Sequence, residues 1–395
     1  MTRLPTQAAQ LLVVGAGPVG LFGALCAARR GLEVLVLDQS FQGFGRGYAT
    51  ILHPRSLRLF AELGLADELF SAGRRIDRVQ VYVDRTRVET LTLSSPALAI
   101  AQSTLEEVLL TALRAEGIKP QAPQQATTIA QDDDGVTVRV MRRELVRRGS
   151  PVVYSEWEPI ESSLVRAKFV LGADGYDSRV RAALGIQCVT VGGTESFAIF
   201  EFPTTSPAED VELCFEGGLG SAMIPLTNGR ARWSFQVAGE LDRLPDLLRL
   251  QRLLSERAPW YQDGTNEIDW GNVIHFERRL ARTFGEGRVW LAGDAAHVTS
   301  PFGGQSLNGG LFEACDLAER MAACISGERK LDTLEHYGLE RRREWHKLLG
   351  VNVSFDLLPH APAWLAPHAR RIVPALPASG RDLEQSLERV GLKVH

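Results

Sequence analysis

The chain has 395 residues, 45% of them hydrophobic, enough to build two lobes with sizeable cores. A formal net charge of −4 argues against a nucleic-acid surface or a polybasic membrane contact. No run of roughly 18 apolar residues occurs and the first ten residues lack an apolar signal core, so no membrane span is expected.

Leu11-Leu12-Val13-Val14 is a continuous apolar run, as a buried parallel strand requires. Gly15-Ala16-Gly17-Pro18-Val19-Gly20 follows and fits G-x-G-x-x-G. Gly15 allows the tight turn, Gly17 lets a pyrophosphate approach the backbone, and Gly20 lets helix and strand pack closely. Leu21 to Arg30 suits the crossover helix, Gly31 ends it, and Glu33 to Leu37 reads as the second strand. Asp38 stands about 20 residues after the glycines, where a carboxylate accepts both ribose hydroxyls of an adenosine. The acid suits FAD or NAD and disfavours a 2′-phosphate. This motif alone does not choose between the two.

Further along, Arg78 to Val83 alternates like a half-buried antiparallel strand. Ser103 with Glu106 three residues later predicts an N-cap with a capping box. Asp132 to Gly135 reads as a hairpin turn, and 141–165 as a polar, irregular surface insertion. Val170-Leu171-Gly172-Ala173-Asp174-Gly175 is an apolar strand entering an Asp-Gly turn, followed by Ser178 and Arg181. Phe197 to Phe202, Val211 to Phe215, Ser221 to Ile224 and Ala231 to Val237 predict short strands separated by turns such as Asn228-Gly229. Val289-Trp290-Leu291 then runs into Gly293-Asp294-Ala295-Ala296-His297, a glycine-rich loop (Pro301, Gly303, Gly304, Gln305, Asn308) and a helix. Here a strand places a carboxylate beside a turn whose backbone can approach a ligand, with free helix N–H groups nearby. From Lys330 the pattern is helical and predicts a small cap.

Together these segments resemble the single-component FAD-dependent aromatic hydroxylases, the p-hydroxybenzoate hydroxylase-like flavoprotein monooxygenases. Two more stretches carry the likeness: Arg46-Gly47-Tyr48-Ala49 through Leu63-Gly64-Leu65, and Ile100 to Glu106 around Gln102. The resemblance implies an α/β fold, with a Rossmann-like FAD-binding lobe, a β-sheet substrate lobe and C-terminal helices. It divides the chain into a discontinuous FAD lobe (1–75, 100–187 and 276–330), a substrate sheet (76–99 and 188–275) and a helical cap (331–395). It implies that Gly15, Gly17, Pro18, Gly20 and Asp38 hold the adenosine diphosphate half and that Arg46 reaches the pyrophosphate. Gln102 would touch the flavin side chain, Asp174 support the pyrophosphate and the passing nicotinamide, and Gly293 and Asp294 hold the ribityl chain. Pro301 would abut the flavin ring. The backbone from Gly303 through Gly304, Gln305, Ser306 and Leu307 to Asn308 would donate toward N1/O2, where charge develops on reduction. Pro301, Gly303 and Gln305 are the candidates for direct involvement in chemistry.

The implied reaction takes NADH or NADPH and O₂, and transfers OH from a C4a-hydroperoxyflavin to an aromatic phenolic or polyketide-like molecule. The FAD is expected to be non-covalent, since no His or Cys stands where attachment would occur. No metal is expected. His275, Tyr82, Tyr261 and His53 are candidate substrate bases. Two departures stand out. Ser306 replaces the last glycine of the family's G-G-Q-G, which costs about 1 kcal/mol or more if that position needs positive φ. Glu313-Ala314 stands where the family often has Asp-Ala.

Other readings are a flavin oxygenase acting on a non-phenolic natural product or antibiotic, a flavin-dependent halogenase, and a non-catalytic FAD-binding protein. The halogenase reading is weak, because no lysine precedes Lys119 and no W-x-W-x-I-P occurs. At this length the extra C-terminal thioredoxin-like domain of larger phenol hydroxylases is not expected. Five scattered cysteines without C-x-x-C suggest free thiols in a reducing cytoplasm. Whether the protein forms a homodimer is left open.

Overall fold

The apolar run Leu11–Val14 ends β1 (Thr6–Val14), and all four residues are buried. The computed structural model describes residues 6–40, 49–148, 154–205, 208–238, 245–262 and 266–395. From β1 the chain turns into α1 (Pro18–Ala28), which is apolar on every side because it is buried on every side, and returns as β2 (Val34–Leu37). Then follow β3 (Ala49–Leu52), α2 (Pro54–Glu62), α3 (Ala66–Ala72), β4 (Arg74–Val83), β5 (Thr86–Ala101) and α4 (Gln102–Ala115). Next come β6 (Gln124–Asp132), β7 (Gly135–Arg148), β8 (Tyr154–Gly172), α5 (Arg179–Ala183) and β9 (Cys188–Thr190).

The second lobe continues with β10 (Glu195–Pro203), β11 (Val211–Glu216), β12 (Leu219–Leu226), β13 (Arg230–Val237), α6 (Leu247–Arg257) and β14 (Trp270–Phe276). The chain returns through β15 (Arg279–Ala281), β16 (Gly285–Glu286), β17 (Val289–Leu291) and β18 (His297–Val298) to α7 (Gln305–Ser326) and α8 (Asp332–Leu349). It ends with β19 (Phe355–Leu357), α9 (Ala369–Ala375), α10 (Arg381–Arg389) and β20 (Leu392–Val394), so the tail carries a two-stranded β19–β20 sheet as well as helices.

The first sheet runs β16-β17-β8-β1-β2, and its inner strands are parallel. Register places Val14, Leu37, Gly172 and Leu291 at one edge. The turns that follow these four strands therefore meet at the carboxyl edge of a parallel sheet, where open α/β folds bind ligands. The second sheet has eight strands, β14-β10-β13-β12-β11-β4-β5-β3, and covers that edge.

Three expectations are corrected. Residues 141–148 and 154–165 are regular, because β7 and β8 pair from Val136↔Ala167 to Arg148↔Tyr154. Their outer half is wet on both faces (Leu145, Trp157 and Ile160 are exposed), which erases the alternation that marks a half-buried strand. Ser103 does not cap α4. That helix starts two residues earlier, at Gln102 with Ala101 as its N-cap, and Gln102 Nε2 donates to Glu106 Oε1 at 2.8 Å. Finally, β3, read as part of the first lobe, pairs with β5 in the second sheet. Among the described residues no helix is long and apolar enough to cross a membrane, and no His/Cys/Asp/Glu cluster suits a metal.

Candidate functional site

The first turn is built on close backbone contact. Gly15 has φ 108°, and a Cβ there would overlap the Ala173 carbonyl. A Cβ on Gly20 would overlap the Gly15 carbonyl. These two glycines shape the turn, while Gly17 and Pro18 line a cavity of about 670 Å³ at the sheet edge. Asp38 lines the same cavity. Its Oδ2 accepts the Ala16 N–H at 2.6 Å, and its Oδ1 accepts Ser40 N–H and Oγ at 2.8 and 3.1 Å. The carboxylate is thus fixed in place with acceptor capacity to spare.

Asp174 also lines the cavity, at the end of β8. Its Oδ1 accepts from Ser178 Oγ (2.5 Å), and its Oδ2 accepts the N–H groups of Arg179 (2.6 Å) and Val180 (3.1 Å). Burial raises this carboxyl above its ordinary range, and those donors oppose the rise. Its main engagement is thus with the N-terminus of α5. Arg181 ties this element to the next, donating to Tyr176 O at 2.8 Å and to Ala295 O at 2.9 Å.

The third turn leaves β17 through Gly293, at φ 64°. Asp294 lines the cavity and is exposed to it. Desolvation by the cavity walls pushes its pKa up, His297 opposes this, and Glu313 adds to it. Among the described residues no protein group donates a hydrogen bond to Asp294. Behind the turn, Glu313 is buried and accepts from Gly293 N–H (2.9 Å), His297 Nε2 (2.7 Å) and Trp345 Nε1 (2.6 Å). Burial alone would raise Glu313, but His297 and the donors outweigh it and hold the carboxyl below its ordinary value.

The following loop divides by direction. Pro301, Gly304, Ser306 and Leu307 line the cavity. Positive φ falls on Gly303 and Gly304, both 69°, whereas Ser306 lies in α7 and is not among the residues with positive φ. The strain expected at Ser306 is absent; its Oγ instead accepts the Thr299 N–H at 3.0 Å. The side chain of Gln305 does not reach the cavity. Its amide is buried and donates to Leu376 O (2.8 Å) and Ala378 O (3.0 Å) in the tail.

Gly303 likewise faces the tail, where a Cβ would stand 2.5 Å from Pro374 O. Asn308 is also behind the loop. Its Oδ1 accepts His53 N–H and Ser56 Oγ, both at 2.7 Å, and its Nδ2 donates to Ile51 O (2.7 Å) and Gly304 O (2.8 Å). The side chains of Gln305 and Asn308 thus anchor the loop to β3, α2 and the tail and do not line the cavity. Gln102 lines the cavity. Arg46 lies outside the described residues.

None of the four candidate bases lines the cavity. Tyr82 stacks on Trp260 at 3.9 Å, and burial raises it to about 12. Tyr261 packs edge-on to Trp233, and His275 Nδ1 pairs with Ser196 Oγ at 2.8 Å. His53 is fully buried, with Nε2 donating to Gly303 O at 2.5 Å. Burial lowers its pKa from 6.5 to about 4. The unfolded chain therefore takes up a proton between these values that the folded chain refuses. Stability is unaffected above pH 6.5 and falls as pH drops toward 4, by on the order of 3 kcal/mol. His53→Gln removes this slope. Urea unfolding of both proteins at neutral and acid pH checks it: an equal acid loss in wild type and variant would contradict the assignment.

Arg232 carried no motif in the sequence, yet it lines the cavity. It is buried, donates from Nη1 to Ala49 O at 2.5 Å and lies 3.5 Å from Glu201 Oε1. An arginine inside the aromatic run Ala231 to Val237 was its only signal.

The chain matches the family described as "FAD binding domain" over residues 8–350. It belongs to that family. The flavoprotein is 28% identical over 391 residues to a 6-methylpretetramide 4-monooxygenase from Streptomyces rimosus, covering 96% of this chain and 67% of that one. It is 26% identical over 385 residues to a pentachlorophenol 4-monooxygenase from Sphingobium chlorophenolicum, covering 89% and 65%. The chain thus spans about two thirds of the length of these relatives. Its fold matches the p-nitrophenol 4-monooxygenase of Pseudomonas putida DLL-E4, with TM-score 0.72, 24% identity, and coverage of 87% and 86%. It also matches aklavinone-11 hydroxylase solved with FAD and aklavinone, with TM-score 0.70, 24% identity, and coverage of 96% and 72%. The α/β fold class agrees with these structures, the aromatic-hydroxylase resemblance agrees with the family model and the sequence relatives, and FAD is the cofactor of the family.

Proposed function

We propose that this chain is an FAD-dependent monooxygenase that uses NADH or NADPH and O₂ to hydroxylate a phenolic or polyketide-like aromatic molecule. The observation that carries this reading is Asp294: a carboxylate exposed to a cavity it shares with Asp38, without a protein donor among the described residues. Such a group suits the hydroxyls of a ribityl chain, as Asp38 suits those of a ribose. The residues present therefore fit FAD. The α1 N-terminus beside Gly17 carries the partial positive charge that favours a pyrophosphate.

When bound, FAD supplies hydride acceptance from the nicotinamide and activation of dioxygen. The protein binds, orients and excludes water. Pro301, Leu307, Val298 and Ile274 give the cavity apolar walls that keep water from the reacting atoms. The names of the relatives, which include a 6-methylpretetramide and a pentachlorophenol monooxygenase, support an aromatic substrate. All five cysteines are free, which suits the cytoplasm.

Purified yellow protein is expected to oxidise NADH or NADPH faster when a matching phenolic or polycyclic aromatic is added, with the product heavier by one oxygen atom. Oxygen uptake and product mass spectrometry check it. Bound FAD that neither nicotinamide reduces would refute the reading.

A further inference from the structure

We propose that Glu313 is a positioning residue of the flavin site: its buried carboxylate, by holding the Gly293 N–H and the His297 ring, fixes the turn that aims Asp294 into the cavity. The inference rests on the FAD reading above and deepens it.

Helix α7 supports the turn from behind. Gly293 sits at φ 64°, and α7 packs against it so closely that a Cβ on Gly310 would stand 2.8 Å from Gly293 Cα. Into this contact α7 sends the side chain of Glu313. Its Oε2 receives two donors, Gly293 N–H at 2.9 Å and His297 Nε2 at 2.7 Å. These residues flank Asp294 on either side, so one oxygen clasps both ends of the segment that carries it. The other oxygen accepts Trp345 Nε1 at 2.6 Å. Trp345 also stacks on the His297 ring, with centroids 3.5 Å apart. Helix α8 adds a second support where Tyr337 donates to Leu291 O at 2.9 Å, just before the turn.

Three donors meet the carboxylate, so it serves as an acceptor at both oxygens, and only the ionised form does this without conflict. A glutamine at this position keeps the shape but offers an amide nitrogen that cannot accept. It leaves Trp345 Nε1 or the Gly293–His297 pair without an acceptor in a buried site. An aspartate keeps the charge but draws the carboxylate back by one methylene.

The test is a double-mutant cycle on FAD affinity, read by titrating apoprotein with FAD and following flavin fluorescence and visible absorption. Glu313→Gln is expected to raise the FAD Kd about tenfold in the wild-type background. In an Asp294→Asn background the same change is expected to raise it by less than about twofold, because the residue it positions has already lost its charge. Equal effects in both backgrounds would show that Glu313 supports only the core, and would overturn the proposal. Glu313→Asp is the second variant should Glu313→Gln not fold: folded protein with an unaltered Kd also overturns it. A wild-type chain that does not bind FAD would overturn the FAD reading and this inference with it. Normal wild-type binding with an unaltered Glu313→Gln overturns this inference alone.

Discussion

Asp294→Ala is expected to raise the FAD Kd by roughly 100-fold, since hydrogen bonds to a charged acceptor contribute about 1.5–3 kcal/mol each. The same substitution is expected to leave the apoprotein more stable at neutral pH. The sign follows from burial, which raises the Asp294 carboxyl above its ordinary 3.8. An acid whose folded pKa is raised contributes stability below the unfolded value and loses it as pH rises through the folded value. At neutral pH the wild-type apoprotein therefore carries a partly desolvated charge that alanine removes. The advantage of the variant should shrink below about pH 4. Calorimetry of both apoproteins at two pH values, with FAD titrations beside it, measures both effects. An unchanged FAD Kd, or a variant less stable at neutral pH, contradicts the role given to Asp294. The pairing of lost affinity with gained stability is what a binding carboxylate, held ready for its ligand, should show.

Gly15→Ala is expected to cost about 3 kcal/mol or more and to abolish FAD binding at ordinary concentrations. Two penalties combine. The residue sits at φ 108°, where a side chain is strained, and the new Cβ overlaps the Ala173 carbonyl across the strand ends. Gly31 separates them. It too has positive φ, at 80°, but nothing lies within 4 Å of where its Cβ would be. Gly31→Ala should therefore cost about 1 kcal/mol, the backbone contribution alone. Thermal unfolding of the two variants isolates the steric part. Equal losses would mean that the close approach of β1 and β8 is not what requires Gly15.

Much of the site was legible because its elements are local. A strand, a glycine turn and an acid in order place Asp38, and each later strand-to-Asp turn repeats the logic at Asp174 and Asp294. The strands of the second sheet were legible from their length and the turns between them. Less legible were residues whose role depends on what packs against them. Gln305, Gly303 and Asn308 lie in the same loop as Pro301 and Ser306, and nothing in their order says which of them face the cavity. For Gln305 and Gly303, residues Pro374 to Ala378 decide it, and they lie about 70 positions away.

Local order in the chain dictates the parallel strands, the turns at their ends and the acids those turns carry, because backbone propensity and glycine geometry act over a few residues. Which side chains reach the cavity is settled instead by packing. Arg232 enters it from the second sheet, Gln305 and Asn308 leave it for the tail and β3, and Glu313 clasps the Gly293–His297 segment from behind. These directions arise from contacts between segments far apart in the chain, and a buried polar group takes the partner that packing brings to it.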